Sequence, residues 1–322
     1  MRNSLILVRT YMLNILVTGS NGQLGSELQA LHENYREYNF TFTDRESLDI
    51  TCKDCISLTC KEKNITHIIN CAAYTAVDKA EEDQDNADAI NHLAVQNLAE
   101  IAKEMGISLI HISTDYVFDG KNYKPYAEND DVNPQGIYGK TKLDGEEALL
   151  HVSPPKSIII RTSWVYSSFG NNFVKTMLRL GKERDELGVI FDQVGTPTYA
   201  KDLAEVVLEI IEQISRLSRF ARSDEDYEKE KNGHCEEQSD VAIYHYSNEG
   251  VLSWYDFAKE IMRMAKLTCK VSPIETTDYP TPAKRPHFSL LNKSKIKKEF
   301  NLSIPFWKDS LDECLKTMGE RR

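Results

Sequence analysis

Positive charge is in short supply in this chain. Its 39 Lys and Arg stand against 50 Asp and Glu, a formal net charge of −11 at pH 7. Neutralising a nucleic-acid backbone takes clustered Lys and Arg, so the balance argues against nucleic acid as a partner. Long apolar runs are scarce at the N-terminus, where Leu5–Val8 is cut off by Arg9. That run is too short for a signal h-region or a transmembrane helix, so no membrane partner is expected and the compartment reads as cytoplasmic. Met12 reads as the true start, with residues 1–11 an extension outside the fold. Internal repeats and heptads are absent. Cysteine spacing is irregular over Cys52, Cys55, Cys60, Cys71, Cys235, Cys269 and Cys314. The Cys52/Cys55 CxxC has no second ligand pair for zinc, so free thiols in a reducing compartment are expected.

What is present is alternation. With 322 residues and 41% hydrophobic content, the chain suits one large α/β domain or two lobes. "NILVTG" (14–19), "NFTFTD" (39–44), "THIINCAA" (66–73), "SLIHIST" (108–114) and "SIIIRTSWVY" (157–166) read as strands. Between them lie helical patterns, including Leu24, Leu28 and Leu31, and an amphipathic helix over 87–106 that Gly106 stops. Strand–helix alternation predicts a doubly wound parallel sheet, an α/β fold with helices on both faces. Beyond it the pattern breaks into short segments and a proline-rich loop, "YPTPAKRPHFSLL" (279–291), which predicts a smaller C-terminal lobe. Residues 223–240 carry eight acids and two bases and read as a solvated, disordered insertion.

Chemistry-bearing residues collect where strands end. "GSNGQLG" puts Gly19, Gly22 and Gly25 between a strand and a helix, where a backbone can approach a pyrophosphate and helix N–H groups can bind it. Asp44 ends the second strand and suits a ribose 2′-hydroxyl, favouring NADH; Arg45 beside it suits the 2′-phosphate of NADPH. The two pull in opposite directions, and a plain "TDRES" turn competes with both. Asp49, before Ile50, lines the adenine side or starts the next helix. Ala72, Ala73 and Tyr74 follow the third strand at the edge where ligands sit. Ser113, Thr114 and Asp115 end the fourth, offering hydroxyls that can donate to a carbonyl oxygen as it becomes an alkoxide. Tyr138 and Lys142 share a helix face at i and i+4. A free tyrosine titrates near 10, and a neighbouring ammonium lowers that value. Thr114, Tyr138 and Lys142 thus form a polarising, proton-donating and tuning set, with Lys142 also in reach of a nicotinamide ribose.

Glycine turn, hydroxyl strand end and YxxxK in this order resemble an extended short-chain dehydrogenase/reductase. "NCAAYTAVDKAE", "STDYVFDG", "YGKTKLDGE", "RTSWVY", "GNNFVKTML", "DQVGTPT" and "YPTPAKRPHFSLLN" are similar to the motif run of the dTDP-4-dehydrorhamnose reductases, over roughly residues 12–310. The resemblance implies a Rossmann-like NAD(P)-binding domain over 12–166 and 192–216. It implies a substrate-binding lobe over 167–191 and 242–322, with 217–241 as the acidic insertion. It implies hydride transfer from NADPH or NADH to C4 of a dTDP-4-dehydro sugar, with Tyr138 as proton donor, Lys142 tuning it and Thr114 on the C4 oxygen. Gly22, Gln23, Leu24 and Gly25 match the phosphate loop, and Ala73, Tyr74 and Thr75 match a cofactor-lining turn. Asp115, Trp164 and Arg285 match sugar or diphosphate positions. Some family members hold a metal between glutamates at a dimer interface; no full set matches here, so Mg2+ is unsupported and the chain is a monomer or homodimer. A nucleotide-sugar 4,6-dehydratase or epimerase is the nearest enzyme alternative. Tyr116 stands where a dehydratase places its second carboxylate, which argues against elimination. A non-catalytic NADP-binding regulatory subunit is the alternative of another class.

Overall fold

In the computed structural model, which describes residues 12–220 and 241–319, the apolar run Leu13–Thr18 (β1) is buried on both sides except at Asn14. Such a strand belongs inside a sheet covered on two faces. It lies in a six-stranded, all-parallel sheet with β2 (Tyr38–Phe42), β3 (His67–Asn70), β4 (Ser108–Thr114), β5 (Ile158–Thr162) and one later strand. The doubly wound reading is correct. Between the strands run α1 (Gln23–Leu31), α2 (Lys53–Glu62), α3 (Val77–Ala80), α4 (Gln84–Asp88), α5 (Ala94–Met105) and α6 (Ile137–Val152). Leu24, Leu28 and Leu31 of α1 pack on one face together with Leu203 and Val207. Val95, Leu98 and Leu149 pack on the other against Leu16, Ile68 and Ile159.

The chain then builds β6 (Val165–Tyr166), α7 (Phe173–Glu183), β7 (Glu186–Ile190), β8 (Val194–Gly195), β9 (Thr198–Tyr199) and α8 (Ala200–Phe220). After them come β10 (Ala242–His245), β11 (Leu252–Ser253) and β12 (Lys270–Ile274). The smaller lobe gathers α7, the parallel pair β7–β12 and the helices Trp254–Met264 and Trp307–Thr317 around Phe257, Ile261 and Leu311. The spatial order of the large sheet is β10-β5-β4-β3-β1-β2. The strand order reverses between β1 and β3, and the crevice at their C-terminal ends is where such folds place a ligand.

Several boundaries differ from the sequence reading. Residues 242–245, grouped with the smaller lobe, form the sixth sheet strand, because Ala242–His245 pair in register with Ile158–Arg161. α8 continues to Phe220 and Val241 is buried, so both ends of the 217–241 segment carry structure; residues 221–240, like the 1–11 extension, lie outside the described residues. The strand read over 157–166 breaks at Ser163–Trp164, because Trp164 adopts a left-handed backbone (φ 49°) and its ring stacks on Trp254 at 3.7 Å. The helix read over 87–106 holds a π-turn at Ala89–Leu93. Cys52 and Cys55, expected as free thiols, are joined by a disulfide: one is the N-cap and the other the third residue of α2, with Cα atoms 5.3 Å apart.

One buried ion pair ties α6 to the sheet. Arg161 of β5 donates to both carboxylate oxygens of Glu146 at 2.6–3.1 Å, and Ser113 of β4 donates to the same group. Both partners are almost fully buried. Removing one leaves an unpaired buried charge, which typically costs about 3–5 kcal/mol. Arg161→Met should therefore lower the unfolding free energy by about that much. The double variant with Glu146→Leu should recover much of the loss, read from urea midpoints.

Candidate active site

The crevice predicted by topology is a cavity of about 920 Å³ running from Gly19 to Trp164. Its floor begins at the turn after β1. Gly19 has φ +65°, and a Cβ there would lie 2.6 Å from the Ala72 backbone. Only glycine fits a left-handed turn pressed against a neighbouring strand end. Gly22, Gln23 and Leu24 line the cavity at the start of α1. Gly25 lies behind them, packed on Ser20, where a Cβ would come within 2.5 Å. Its part is close packing of turn and helix, not contact with the cavity.

Asp44, Arg45, Asp49 and Ile50 reach one end of the cavity. The Asp44 carboxylate is engaged by its own turn. It accepts from the Glu46 and Ser47 backbones and the Ser47 hydroxyl, and Asn21 donates to it at 2.6 Å. These bonds hold its pKa below the usual carboxylate value. Arg45 is exposed at the mouth.

Ala72, Ala73 and Thr75 line the wall, while Tyr74 turns away and donates to Asp83 at 2.9 Å. The π-turn explains how this wall is held. It buries Asn91, which accepts from the Tyr74 N–H at 2.9 Å and donates to the Tyr74 carbonyl at 3.1 Å and to Thr141 of α6 at 3.2 Å. α6 comes so near that a Cβ on Gly145 would lie 2.1 Å from the Asn91 carbonyl oxygen.

On the opposite wall stand Thr114, Asp115, Tyr138 and Lys142. Tyr138, Lys142 and Glu146 succeed one another at i, i+4 and i+8 on α6. Tyr138 is hydrogen-bonded to Thr114 and edge-on to the Tyr116 ring at 5.5 Å. Its pKa is pushed up to about 12 by burial, eased by the Thr114 bond and raised further by Asp115. The lowered value expected from a neighbouring ammonium is not realised here. The Lys142 amine is taken up elsewhere, donating to the Ile112 carbonyl at 2.7 Å and meeting His111 Nε2 at 3.1 Å. Burial pulls Lys142 down to about 8, against the pull of Glu146.

Trp164 lines the cavity, braced by Trp254. Arg285 does not line it. Its guanidinium forks onto Asp78 of α3 at 3.0 and 2.7 Å, so it ties the proline-rich loop to the sheet domain. No residue of "GNNF" stands out as a site residue in the sequence, yet Gly170, Asn171 and Asn172 line the cavity. Asn172 caps α7 and donates to Gln23 at 3.0 Å, joining the glycine turn to the smaller lobe. The signal was an N-cap asparagine before an apolar run. Away from the cavity, Asp88, His92 and Asp144 bring three ligand-type atoms within 4.8 Å of one another, with His92 already paired to Asp88.

The chain resembles known proteins along nearly its whole length. Residues 13–223 and 229–320 match the family described as RmlD substrate binding domain. A dTDP-4-dehydrorhamnose reductase of Aggregatibacter actinomycetemcomitans is 42% identical over 306 residues, 93% of this chain and 97% of that protein. One of Escherichia coli K12 is 39% identical, covering 95% of this chain and 98% of that protein. Among solved structures, a dTDP-4-dehydrorhamnose reductase of Clostridium acetobutylicum superposes with TM-score 0.84 at 42% identity, over 95% of this chain and 100% of that one. The Bacillus anthracis reductase, solved with NADP, gives 0.84 at 36% identity over the same shares.

Asp115 supplies a test of the site's electrostatics. It is buried, and burial raises its pKa to about 6 against the hydrogen bonds of Ser289 and Thr114. A raised folded-state pKa means its contribution to stability is complete below the unfolded value and lost as pH rises through about 6. Asp115→Asn removes the buried charge. It should raise the melting temperature at pH 8, by on the order of 2 kcal/mol of stability, with the gain shrinking at pH 5.

Proposed function

The chain belongs to the RmlD substrate binding domain family, and from that premise we propose that it reduces dTDP-4-dehydro-β-L-rhamnose to dTDP-β-L-rhamnose with NAD(P)H, the last step in making this sugar donor for cell-surface polysaccharide. The observation that carries the site assignment is one cavity wall bearing Thr114, Tyr138 and Lys142 opposite the glycine turn of Gly19 and Gly22.

The cradle suits a dinucleotide. A cavity of this size opens on a backbone that glycine alone keeps clear, at the N-terminus of α1. Gly22, Gln23 and Leu24 would hold the pyrophosphate, and Ala72, Ala73 and Thr75 would line the rest. When bound, the dihydronicotinamide supplies the hydride. Thr114 donates to the C4 oxygen and orients it. Tyr138, whose phenol is kept protonated by burial, gives its proton to the oxygen as negative charge develops there. Lys142 holds the ribose and restores the tyrosine. Trp164 offers a flat face to the sugar ring. Since Asp44 is engaged by its turn while Arg45 stands open, Arg45 meets a 2′-phosphate and the site accepts NADPH as well as NADH.

The protein works in the cytoplasm, as a monomer or homodimer. Among the described residues no helix is long and apolar enough to cross a membrane. Sedimentation velocity distinguishes the two assembly states.

Purified protein should oxidise NADPH only when the dTDP-4-keto sugar is added. Tyr138→Phe should lower kcat by about 10²-fold or more while leaving NADPH binding intact. Tight NADPH binding without sugar-dependent oxidation would sink the enzymatic reading in favour of a regulatory subunit. Arg45→Ala should raise KM for NADPH by roughly tenfold and leave KM for NADH nearly unchanged, since a charge-assisted bond of about 1.4 kcal/mol or more is lost with the phosphate alone.

A further inference from the structure

Behind the catalytic wall a line of polar side chains crosses the sheet interior. Thr18 ends β1, Asn70 ends β3, His111 lies in β4 and Lys142 on α6; all four are at most 1% exposed. Asn70 Oδ1 accepts from the Ala72 backbone N–H at 3.2 Å and from the Thr18 hydroxyl at 2.6 Å. A backbone N–H can only donate, so that atom is the amide oxygen. The amide nitrogen then donates to His111 Nδ1 at 3.0 Å. A neutral imidazole carries one N–H, and with Nδ1 accepting, the proton sits on Nε2. Nε2 faces Lys142 Nζ at 3.1 Å. An ammonium has only donors, so two donors would meet there unless the lysine is a neutral amine with a free lone pair.

We infer that Asn70 and His111 are positioning residues for Lys142: Asn70 fixes His111 as its Nε2–H tautomer, and that N–H, aimed at the lysine nitrogen, disfavours the ammonium and makes Lys142 a proton carrier in place of a permanent cation. Burial acts in the same direction on Lys142 and keeps His111 itself neutral. The groups facing Lys142 are His111 and the Ile112 carbonyl from β4 and, from its own helix, Tyr138 and Glu146; Asn70 of β3 stands behind His111. Glu146 favours the ammonium, but Arg161 and Ser113 already engage its carboxylate. The proton that Tyr138 gives to the sugar oxygen is replaced from the Lys142 ammonium, which becomes the amine and accepts from His111. Solvent then returns one proton to Lys142, so the count closes. An ordinary lysine ammonium, near 10.4, would give up that proton far less readily.

The inference rests on Lys142 being the lysine of the reductase site, but its first test does not need activity. In 15N-histidine-labelled wild type, the resonance that His111→Gln removes should show Nε2 protonated and Nδ1 bare. A proton on Nδ1 would overturn the inference, whatever the protein does to the sugar. The second test is Asn70→Asp. Its carboxylate still accepts from Ala72 and Thr18 but also accepts from His111, which moves the imidazole proton to Nδ1 and turns the Nε2 lone pair toward an ammonium. The basic limb of the pH profile of kcat should then move up by about one unit. A merely structural role would lower activity and leave the limb in place, and that result in a folded Asn70→Asp protein with the tautomer switched would also overturn the inference. If Asn70→Asp does not fold, the wild-type tautomer decides. Absence of sugar-dependent oxidation by wild type would count against the reductase reading alone.

Discussion

The site depends on a buried carboxylate that Arg161 will not release. Glu146 sits one turn beyond Lys142, and the fork from β5 fixes the rotation of α6 about its axis. Since Tyr138, Lys142 and Glu146 share one face, fixing the last fixes the other two. A surface pair would be worth little. Here both charges are out of water, so the geometry has no cheap alternative. The same guanidinium lies over the Phe118 ring at 5.1 Å, which carries the constraint into the segment after β4.

Close approach does the rest of the positioning. α6 bears Gly145 where it crosses the Asn91 carbonyl, and the π-turn there swings Asn91 inward to hold Tyr74 and Thr141. Proline-free helices deviate like this where a side chain must be re-aimed, and such turns gather at functional sites. The wall that lines the cofactor end and the helix that carries the tyrosine are therefore one rigid unit. The glycine turn joins it from the other side through Gly19 and Ala72, and Asn172 joins the smaller lobe to it through Gln23.

Electrostatics inside the crevice run against intuition from sequence. A YxxxK pair suggests a lysine depressing a tyrosine. In this protein burial moves Tyr138 up and Lys142 down, toward the uncharged form of each. Desolvation is the largest cause for both groups. The site thus holds a protonated phenol beside a lysine pulled down to about 8, and neither needs water to stay neutral.

The parallel sheet, its covering helices and most of the cavity lining follow from the order of residues alone. Apolar strands buried on both faces, glycines at a strand-to-helix turn and an i, i+4 spacing are local patterns with one sensible geometry. Gly19, Thr114, Tyr138, Lys142 and Trp164 were legible for that reason. What stayed hidden depends on partners far apart in the chain. That Arg285 is engaged by Asp78, some two hundred residues away, whose carboxylate matches the guanidinium fork, could not be read along the chain. Whether Asp44 stands free was decided by Asn21 and its own turn. The sixth strand looked like part of another lobe until it found β5. Asn70 and His111 were two polar letters inside apolar strands; only the packing of β1, β3, β4 and α6 brought them into line with the lysine, because a hydrogen-bond chain across a sheet has no period along any one segment.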